Sequence, residues 1–485
     1  MTLTFDDVLI LPGFSEILPG EVDLTTNLTR RIKIRIPIVS AAMDTISNSL
    51  MAIQIAKLGG VGVIHRNMNI KRQVEEVRKV KKFESWIIAN PVTLEPDRTI
   101  QEAISVMNEN NISGLPITKN GRLVGLITRR DLRFETNLSK KVSEVMVDIQ
   151  RIVYVKEGIS PDEAKMILHE RKIEKLPILD DSFRLKGLIT LKDIEKSESH
   201  PLASKDAFGR LMVAAAIGVG EAELVRAESL IGAGVDILVV DSAHGHSKYV
   251  LETICEIKRS YPEVQLVGGN VATAEGTEAI AKAGADAVKV GVGAGSICTT
   301  RVITGVGVPQ ISAILESRKV ANKYDILVIA DGGIRFSGDI VKALAFGADT
   351  VMLGNMLAGT EESPGETIIW KGRAYKVYRG MGSEEAIKEG LKEGVRSRYA
   401  QANIDDESVV APEGVVGMVP FKGYVSKVIK NIIGGIKAGF GYVGAKNIEE
   451  LRKKARFIRI TEAGYKESHI HDVFVMKEPP NYRVE

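Results

Sequence analysis

The chain has only two cysteines, and they lie in different surroundings. Cys298 lies in the glycine-rich stretch GAGSICTTR, beside serine and threonine hydroxyls, whereas Cys255 lies in the helix-like stretch TICEIKRSY. A structural cysteine behaves as a small apolar side chain and usually sits in an apolar face, so we expect Cys255 to be structural. A cysteine in a polar loop can be held as a thiolate close to a substrate. Cys298 is therefore predicted to be a nucleophile, with a structural role as the alternative.

Two further glycine-rich segments, ADGGIR (330–335) and MLGNML (352–357), each follow an apolar run. Glycines leave backbone N–H groups free to reach phosphate oxygens. Asp331 stands at the tip of the first run, where a carboxylate can accept two hydrogen bonds from a ribose diol. Together these groups predict a site for a nucleoside monophosphate. The alternative is that the glycines only allow tight turns.

Short β-branched runs recur along the chain and alternate with helix-like segments, which predicts a parallel sheet covered on both faces. The eight runs are 36–43, 59–66, 211–218, 237–244, 265–272, 287–294, 326–333 and 350–357. Eight such units indicate an α/β fold of the TIM (β/α)8 barrel type, with a doubly wound open sheet as the alternative. Cys298 follows the sixth run, at the end of the barrel where such enzymes place their active sites.

An internal repeat fills the gap in this series. MNENNISGLPITKNGRLVGLITRRDL (107–132) matches LHERKIEKLPILDDSFRLKGLITLKDI (168–194). Each copy resembles the CBS module, and such pairs often bind adenine or guanine nucleotides, although a purely structural pair is the alternative. We therefore predict a catalytic barrel over residues 1–84 and 202–485, with a polar flap at about 383–414. An α+β tandem CBS domain is predicted at 85–201, with copies at about 90–145 and 146–201.

Composition excludes several classes of partner. The net charge of +3 is too small to indicate nucleic acid binding. No apolar run approaches the roughly 18 residues of a membrane span, and the N-terminal segment lacks the basic region of a secretory signal. Two cysteines cannot form a disulfide framework, so we expect a cytoplasmic protein. Two His-x-His pairs have no third ligand at ordinary zinc spacing, so no zinc site is expected.

Several motifs together resemble the IMP dehydrogenase family over nearly the whole chain. The stretch GVGAGSICTTR resembles the family's active-site loop. The other matching motifs, in chain order, are SAAMDT (40–45), VDSAHGHS (240–247), ADGGIR, MLGNMLAGTEESPGE (352–366), YRGMGS (378–383), SRYAQ (397–401) and ESHIHD (467–472).

The resemblance implies NAD-dependent oxidation of IMP to XMP, the committed step of guanine nucleotide synthesis. Cys298 would attack C2 of the hypoxanthine ring, and a hydride would pass from C2 to NAD. Water would then hydrolyse the resulting thioimidate. Covalent catalysis of this kind divides one difficult step into two simpler ones.

The resemblance also implies roles for particular residues. Ser296, Asp331, Gly332, Gly333, Gly354, Asn355, Tyr378, Gly380, Met381 and Gly382 would line the IMP site, with Glu413 facing the base. Asp241 and the turn Gly291, Val292, Gly293 would lie on the NAD side. Potassium would be held by carbonyls of Gly293, Gly295 and Cys298, joined by Glu467, Ser468 and His469 of a neighbouring subunit, which implies a homotetramer.

The flap residues Arg398 and Tyr399 would act in hydrolysis, after NADH has left. A guanidinium stays protonated in proteins. Arg398 would therefore either be neutral in a dry closed flap or orient the water while Thr300 and Tyr399 relay its proton.

Three positions depart from the family pattern. Asn355 replaces a serine of the phosphate loop, Ala400 replaces an aromatic residue of the flap, and Ala294 replaces a proline of the cysteine loop. None of the three changes removes a catalytic group.

Two rival functions remain. A GMP reductase would share the barrel and the cysteine loop, but it is expected to be shorter and to lack the CBS pair and the Arg398–Tyr399 flap. A nucleotide-sensing protein with an inactive barrel would keep the CBS pair and lose the nucleophile or the flap. An assay of NADH formation from IMP and NAD separates the three functions.

Overall fold

A computed structural model describes residues 2–83, 87–89, 91–191, 194, 200–395, 411–476, 479 and 482. The chain forms two compact units. The first comprises Met1–Lys81, Leu202–Ser204 and Leu211–Glu485, and the second comprises Lys82–Pro201 and Lys205–Arg210. Among the described residues, no helix is long and apolar enough to cross a membrane.

The first unit is built on a closed barrel of eight parallel strands, which confirms the predicted TIM barrel. In chain order the strands are β1 (Ile38–Ser40), β2 (Val61–Ile64), β3 (Val213–Ile217), β4 (Ile237–Asp241), β5 (Gln265–Val271), β6 (Ala287–Val290), β7 (Leu327–Asp331) and β8 (Thr350–Leu353). Each strand lies within one of the eight apolar runs, and β8 pairs with β1 to close the ring.

Helices cover the barrel. They are α1 (Ser49–Lys57), α2 (Ile70–Lys82), α3 (Glu221–Gly232), α4 (Lys248–Ser260), α5 (Ala274–Lys282), α6 (Gln310–Tyr324), α7 (Ser337–Ala345) and α8 (Val425–Val443). Shorter helices span Thr300–Thr304, Asn355–Ala358, Glu384–Lys392, Ile448–Lys454 and Glu462–Glu467. Side chains such as Asn48 and Thr273, which accept backbone N–H groups at the starts of α1 and α5, fix where those helices begin.

The interior of the barrel is apolar along most of its length. Alternate strand residues point inward, as strand geometry requires. Val239, Ala287 and Ile329, from β4, β6 and β7, are all buried in one cluster. The residues two positions further along these strands are Asp241, Lys289 and Asp331, so the carboxyl ends of the strands carry charged groups on their inward face.

A three-stranded antiparallel sheet (Thr367–Trp370, Arg373–Arg379, Val416–Pro420) follows the barrel. The helix Glu384–Lys392 lies between its last two strands, in the first part of the segment 383–414 for which we predicted a polar flap and no helix. Its periodic apolar residues, which include the buried Ala386 and Ile387, were the available signal. The predicted flap residues Arg398, Tyr399 and Ala400 lie outside the described residues.

Two similar substructures form the second unit. The first has a helix (Ile100–Glu109), a hairpin (Gly114–Lys119 with Arg122–Thr128) and a short helix (Arg129–Leu132). The second has a helix (Pro161–Arg171) and a hairpin (Lys175–Leu179 with Leu185–Thr190). Leu115 pairs with Ile127 and Leu176 pairs with Ile189, so the sequence repeat has the same register in both copies. Its identity as a CBS pair remains a prediction.

Each copy has its own small core, built from matching positions. Ala103, Met107, Leu115, Ile117 and Ile127 are buried in the first copy. Ala164, Leu168, Leu176, Ile178 and Ile189 are their counterparts in the second. Equivalent cores show that the repeat is a repeat of packing as well as of sequence.

The barrel chain leaves for the insertion and returns from it near one carboxylate, that of Asp236, which is 12% exposed. Asp236 Oδ2 lies 2.5 Å from Lys81 Nζ, at the end of α2, and accepts a hydrogen bond of 2.8 Å from Val213 N, at the start of β3. Both junctions are therefore fixed by contacts within the first unit.

Deleting residues 85–201 and joining the ends with a short linker should leave a folded barrel, because these junction contacts are retained. Circular dichroism and size-exclusion chromatography of the deletion protein would measure this. A soluble deletion protein that lacks a cooperative melting transition would contradict it.

Candidate active site

A cavity opens at the carboxyl ends of the barrel strands and brings together residues that are far apart in sequence. Those predicted from the sequence are Gly291, Val292, Gly293, Gly295, Cys298, Thr300, Asp331, Gly332, Tyr378, Gly380, Met381 and Glu413. The cavity is also lined by Met43, Ala243, Asn270, Ala294 and Ile297, to which no role was assigned.

Cys298 stands at one end of a line of polar side chains. Its Sγ lies 3.1 Å from Thr300 Oγ1, and Thr300 Oγ1 donates a hydrogen bond of 2.7 Å to Glu413 Oε2. Glu413 was expected to face the substrate base. It does line the cavity, but its carboxylate also connects to the cysteine through Thr300, which position in the sequence could not reveal. The line offers a route for a proton between the thiol region and a carboxylate.

Backbone hydrogen bonds hold this line together. Thr299 N donates to Glu413 O over 3.1 Å, and Val415 N donates to Ile297 O over 3.1 Å. Glu413 N in turn donates to Gly382 O over 2.9 Å. The cysteine loop, the segment around Glu413 and the predicted IMP-site residue Gly382 are thereby joined by main-chain hydrogen bonds.

A buried lysine organises the floor of the cavity. Lys289 on β6 is 1% exposed, and its Nζ lies 2.8 Å from Asp241 Oδ1 and 2.8 Å from Asp331 Oδ2. Nζ also donates to Asn270 Oδ1, while Asn270 Nδ2 donates to Asp331 Oδ2 over 2.9 Å. Lys289 was missed at the sequence level, although a charged residue at an inward position of an apolar strand was a usable signal.

Asp331 keeps one oxygen available for a ligand. Both Lys289 and Asn270 bind Oδ2, and no donor to Oδ1 occurs among the described residues. The residue lines the cavity, so Oδ1 can receive hydroxyl donors from it. Gly291 makes this arrangement possible: its φ is +148°, and an added Cβ would lie 1.9 Å from the carbonyl oxygen of Asp331.

Tyr378 lines the cavity near Ser296. Burial raises the pKa of Tyr378 to about 12, so its hydroxyl is protonated at neutral pH. Asn355 Nδ2 also reaches Ser296 Oγ, at 3.4 Å. Gly354 lies against Tyr378, since an added Cβ would stand 3.1 Å from the phenol oxygen. These predicted IMP-site residues therefore form one contact group.

An ion pair fixes this side of the cavity to the barrel. Arg379 follows Tyr378 and donates through Nη2 to Asp44 Oδ2 over 2.6 Å, and both side chains are largely buried. Asn67 Nδ2 also donates to Asp44 Oδ2, over 2.8 Å, and to the carbonyl oxygen of Ala386 over 3.1 Å. The loops after β1 and β2, the sheet and the helix Glu384–Lys392 are thus tied together beside the cavity.

Other predicted residues lie elsewhere. Asp241 is 4% exposed and is paired with Lys289 inside the barrel. Glu467 ends a short helix, and the ring of His469 packs against Tyr465 at 4.3 Å and Phe336 at 6.2 Å. Neither group lines the cavity, so their proposed roles toward NAD and potassium remain predictions.

The expectation for Cys255 is wrong in one respect. It lies on α4 as predicted, but it is exposed, while Ile254 and Ile257 on the same helix are buried. The apolar residues Ile254 and Ile257 do not imply that Cys255 is buried, because nearby residues of a helix point in different directions. Cys298 is partly buried. Within the described ranges, no group of three His, Cys, Asp or Glu side chains is arranged to hold a metal ion.

Comparison with known proteins gives a consistent result. The family described as the IMP dehydrogenase / GMP reductase domain matches residues 2–471. The chain belongs to this family. It is 57% identical to inosine-5'-monophosphate dehydrogenase of Aquifex aeolicus, over 100% of this chain and 98% of the relative. It is 52% identical to the enzyme of the same name from Bacillus subtilis, over 99% and 98% of the two chains.

A solved structure of a GMP reductase bears on the difference in chain length expected between the two activities. A cysteine-to-alanine variant of GMP reductase from Trypanosoma brucei, in complex with guanosine 5'-monophosphate, superposes with a TM-score of 0.83. It shares 40% identity and aligns over 98% of both chains. The expectation that a GMP reductase is shorter than this chain is therefore wrong for this relative. Chain length and the insertion do not separate the two activities within the family.

Replacing Lys289 by methionine should destabilise the barrel by about 3–5 kcal/mol, because two buried carboxylates would lose their cation. Urea denaturation followed by fluorescence would measure the midpoint. The matched control is Lys453→Met, which removes an exposed ion pair and should cost no more than about 1 kcal/mol. Adding Asp241→Asn to Lys289→Met should recover part of the loss. Equal midpoints for the two single variants would contradict the assignment.

Proposed function

We propose that the chain catalyses the NAD-dependent oxidation of IMP to XMP, a step of guanine nucleotide synthesis. Relatives named inosine-5'-monophosphate dehydrogenase are 57% and 52% identical to it over essentially its full length, compared with 40% for the GMP reductase. The observation that carries the proposal is the line from Cys298 through Thr300 to Glu413 at the mouth of the barrel, facing Asp331 across one cavity.

The cavity suits a nucleoside monophosphate. Asp331 Oδ1 would accept hydrogen bonds from the ribose, and Gly332 with Gly333 would present backbone N–H groups. Ser296, Asn355 and the Tyr378 hydroxyl form a polar group suited to the phosphate. Asn355, in the position where the family usually has serine, retains a donor there. The wall held by the ion pair between Asp44 and Arg379 would keep Met381 against the base.

Cys298 would carry the purine between the two chemical steps. Its Sγ, as the thiolate, would form a bond to C2 of IMP, and a hydride would pass from C2 to bound NAD, so that a thioimidate remains. Water would then add to C2 and lose a proton, the bond between Sγ and C2 would break, and XMP would leave with the thiolate restored. The protein holds the nucleophile and substrate in a fixed geometry, which is how covalent catalysis gains its rate.

A proton acceptor is needed for the water. The structure offers Glu413 through the Thr300 hydroxyl, which lies next to Sγ. The family resemblance offers Arg398 with Tyr399. An arginine guanidinium stays protonated in proteins, so the carboxylate provides a second acceptor beside the flap. We propose that both routes operate in parallel.

NAD and potassium are the implied cofactors. NAD accepts the hydride when it is bound, and Ala243, Gly291 and Val292 line part of the cavity with short side chains that would leave room for it. Carbonyls of Gly293, Gly295 and Cys298 would hold potassium, since neutral oxygens in a glycine turn suit a weakly hydrated monovalent ion. Glu467, Ser468 and His469 of a neighbouring subunit would complete that site in a homotetramer.

We further propose that the inserted repeat binds an adenine or guanine nucleotide and that the enzyme works in the cytoplasm. The first rests on the resemblance of the repeat to CBS pairs and on its two equivalent cores. The second rests on the two unpaired cysteines, which a reducing compartment keeps as thiols.

Cys298→Ala should abolish NADH formation from IMP and NAD, whereas Cys255→Ala should leave it essentially unchanged. The exposed Cys255 lies on α4, and only Cys298 faces the cavity. Absorbance of NADH measures both variants against the parent. Turnover by Cys298→Ala would overturn the mechanism. Parent protein that is inactive on IMP but consumes NADPH with GMP would instead establish the reductase.

Glu413→Gln alone should leave steady-state turnover nearly unchanged, because the faster Arg398 route remains. Arg398→Ala should slow it by about 100-fold or more, as loss of a proton-transfer group does. Both should retain the first burst of NADH in rapid mixing, since the relay serves hydrolysis. The double variant should lose more than the product of the two single losses. A double variant no slower than Arg398→Ala would place both residues on a single route.

A further inference from the structure

Arg301 connects the two ends of the cysteine loop. Its Nε donates to the carbonyl oxygen of Val292 over 3.1 Å, and its Nη2 donates to the carbonyl oxygen of Val308 over 2.5 Å. Val292 follows β6 and Val308 precedes α6, so one guanidinium spans the entrance and the exit of the loop that carries Cys298. Arg301 itself does not line the cavity.

Apolar packing does not hold this loop in place. The short helix Thr300–Thr304 has no buried residue. Its apolar side chains point to solvent, with Val302 87% exposed and Ile303 54% exposed. A segment without buried apolar area gains nothing from the main stabilising force of folding. Its position therefore depends on hydrogen bonds. Arg301 supplies two that join its ends, and Gln310 Nε2 supplies another by donating to the carbonyl oxygen of Val290 over 2.8 Å.

Two glycines make room for the arginine stem. A Cβ built on Gly293 would lie 2.5 Å from Arg301 Cγ, and a Cβ built on Gly307 would also lie 2.5 Å from it. Gly293 in addition has a φ of +69°, which side chains rarely adopt. The loop sequence is therefore shaped around this side chain at both places where it passes.

We propose that Arg301 is a positioning residue, which holds Cys298 and Thr300 at the geometry needed to attack the substrate and to reach Glu413. The inference rests on the proposed function for its kinetic consequence. The guanidinium is suited to the task because its planar fork presents several donors at fixed angles, whereas a lysine ammonium is a point charge on a flexible stem. Lysine can therefore satisfy only part of the requirement.

Arg301→Met, which keeps the stem and removes the donors, should lower kcat at least about tenfold, because small misplacements of reacting groups are costly. KM for IMP should change less, because most groups proposed to contact the ribose and phosphate, such as Asp331, Asn355 and Tyr378, lie outside the cysteine loop. Arg301→Lys should lie between Arg301→Met and the parent. Hydrogen exchange of the amides of residues 291–308 should be faster in Arg301→Met without any substrate present.

Arg452→Met is the matched control. Arg452 also donates to backbone carbonyls, those of Leu344 at 3.2 Å and Ala348 at 2.6 Å, but these carbonyls lie outside the cysteine loop. It should lower the melting temperature while leaving kcat and the exchange of residues 291–308 unchanged.

The inference fails if Arg301→Met exchanges at 291–308 like the parent, or if Arg301→Met and Arg452→Met lose kcat in parallel with stability. If Arg301→Met does not fold, the same comparisons are made with Arg301→Lys. Exchange is measured without substrate, so this result stands even if the parent protein does not oxidise IMP.

Discussion

The arrangement of the site depends on the contacts of the buried Lys289 ammonium with Asp241 and Asp331. A closed parallel barrel points alternate side chains inward, and this barrel is apolar until the carboxyl ends of its strands. There Asp241 and Asp331 would repel each other without the cation between them. Lys289 and Asn270 both bind the same oxygen of Asp331, which turns its other oxygen to the cavity. The position of the carboxylate predicted to bind ribose is thus set by the barrel interior.

Polar contacts hold the cysteine loop in place at the mouth of the barrel. The cysteine loop lies at the surface and gains little from apolar burial, so its geometry comes from polar contacts. Arg301 joins its ends, and main-chain hydrogen bonds join it to the segment around Glu413. A loop held in this way can bring Sγ, a hydroxyl and a carboxylate into line while remaining open to substrate. It also explains why glycines are needed at 293 and 307.

Much of this could be predicted from sequence. All eight barrel strands fell in apolar runs, because strands buried on both faces are continuous in hydrophobicity. Most predicted IMP-site residues also meet in one cavity. The pairing of Thr300 with Glu413 could not be predicted, since 113 residues separate them. The burial of Cys255 was predicted wrongly, because apolar neighbours do not fix the direction in which a helical residue points. The helix Glu384–Lys392 was not predicted, because it lies in a polar stretch. Chain length failed to separate the two family activities, because the GMP reductase aligns over 98% of both chains.

The central claim is that Cys298 carries the purine, and mass spectrometry of enzyme quenched in acid during turnover of IMP and NAD tests it most directly. The account predicts a purine nucleotide adduct on the peptide that contains Cys298, and an unmodified peptide around Cys255. The adduct should appear only when both IMP and NAD are present. Turnover with no adduct on Cys298 under conditions where hydrolysis is slow, as in Arg398→Ala, would contradict the account.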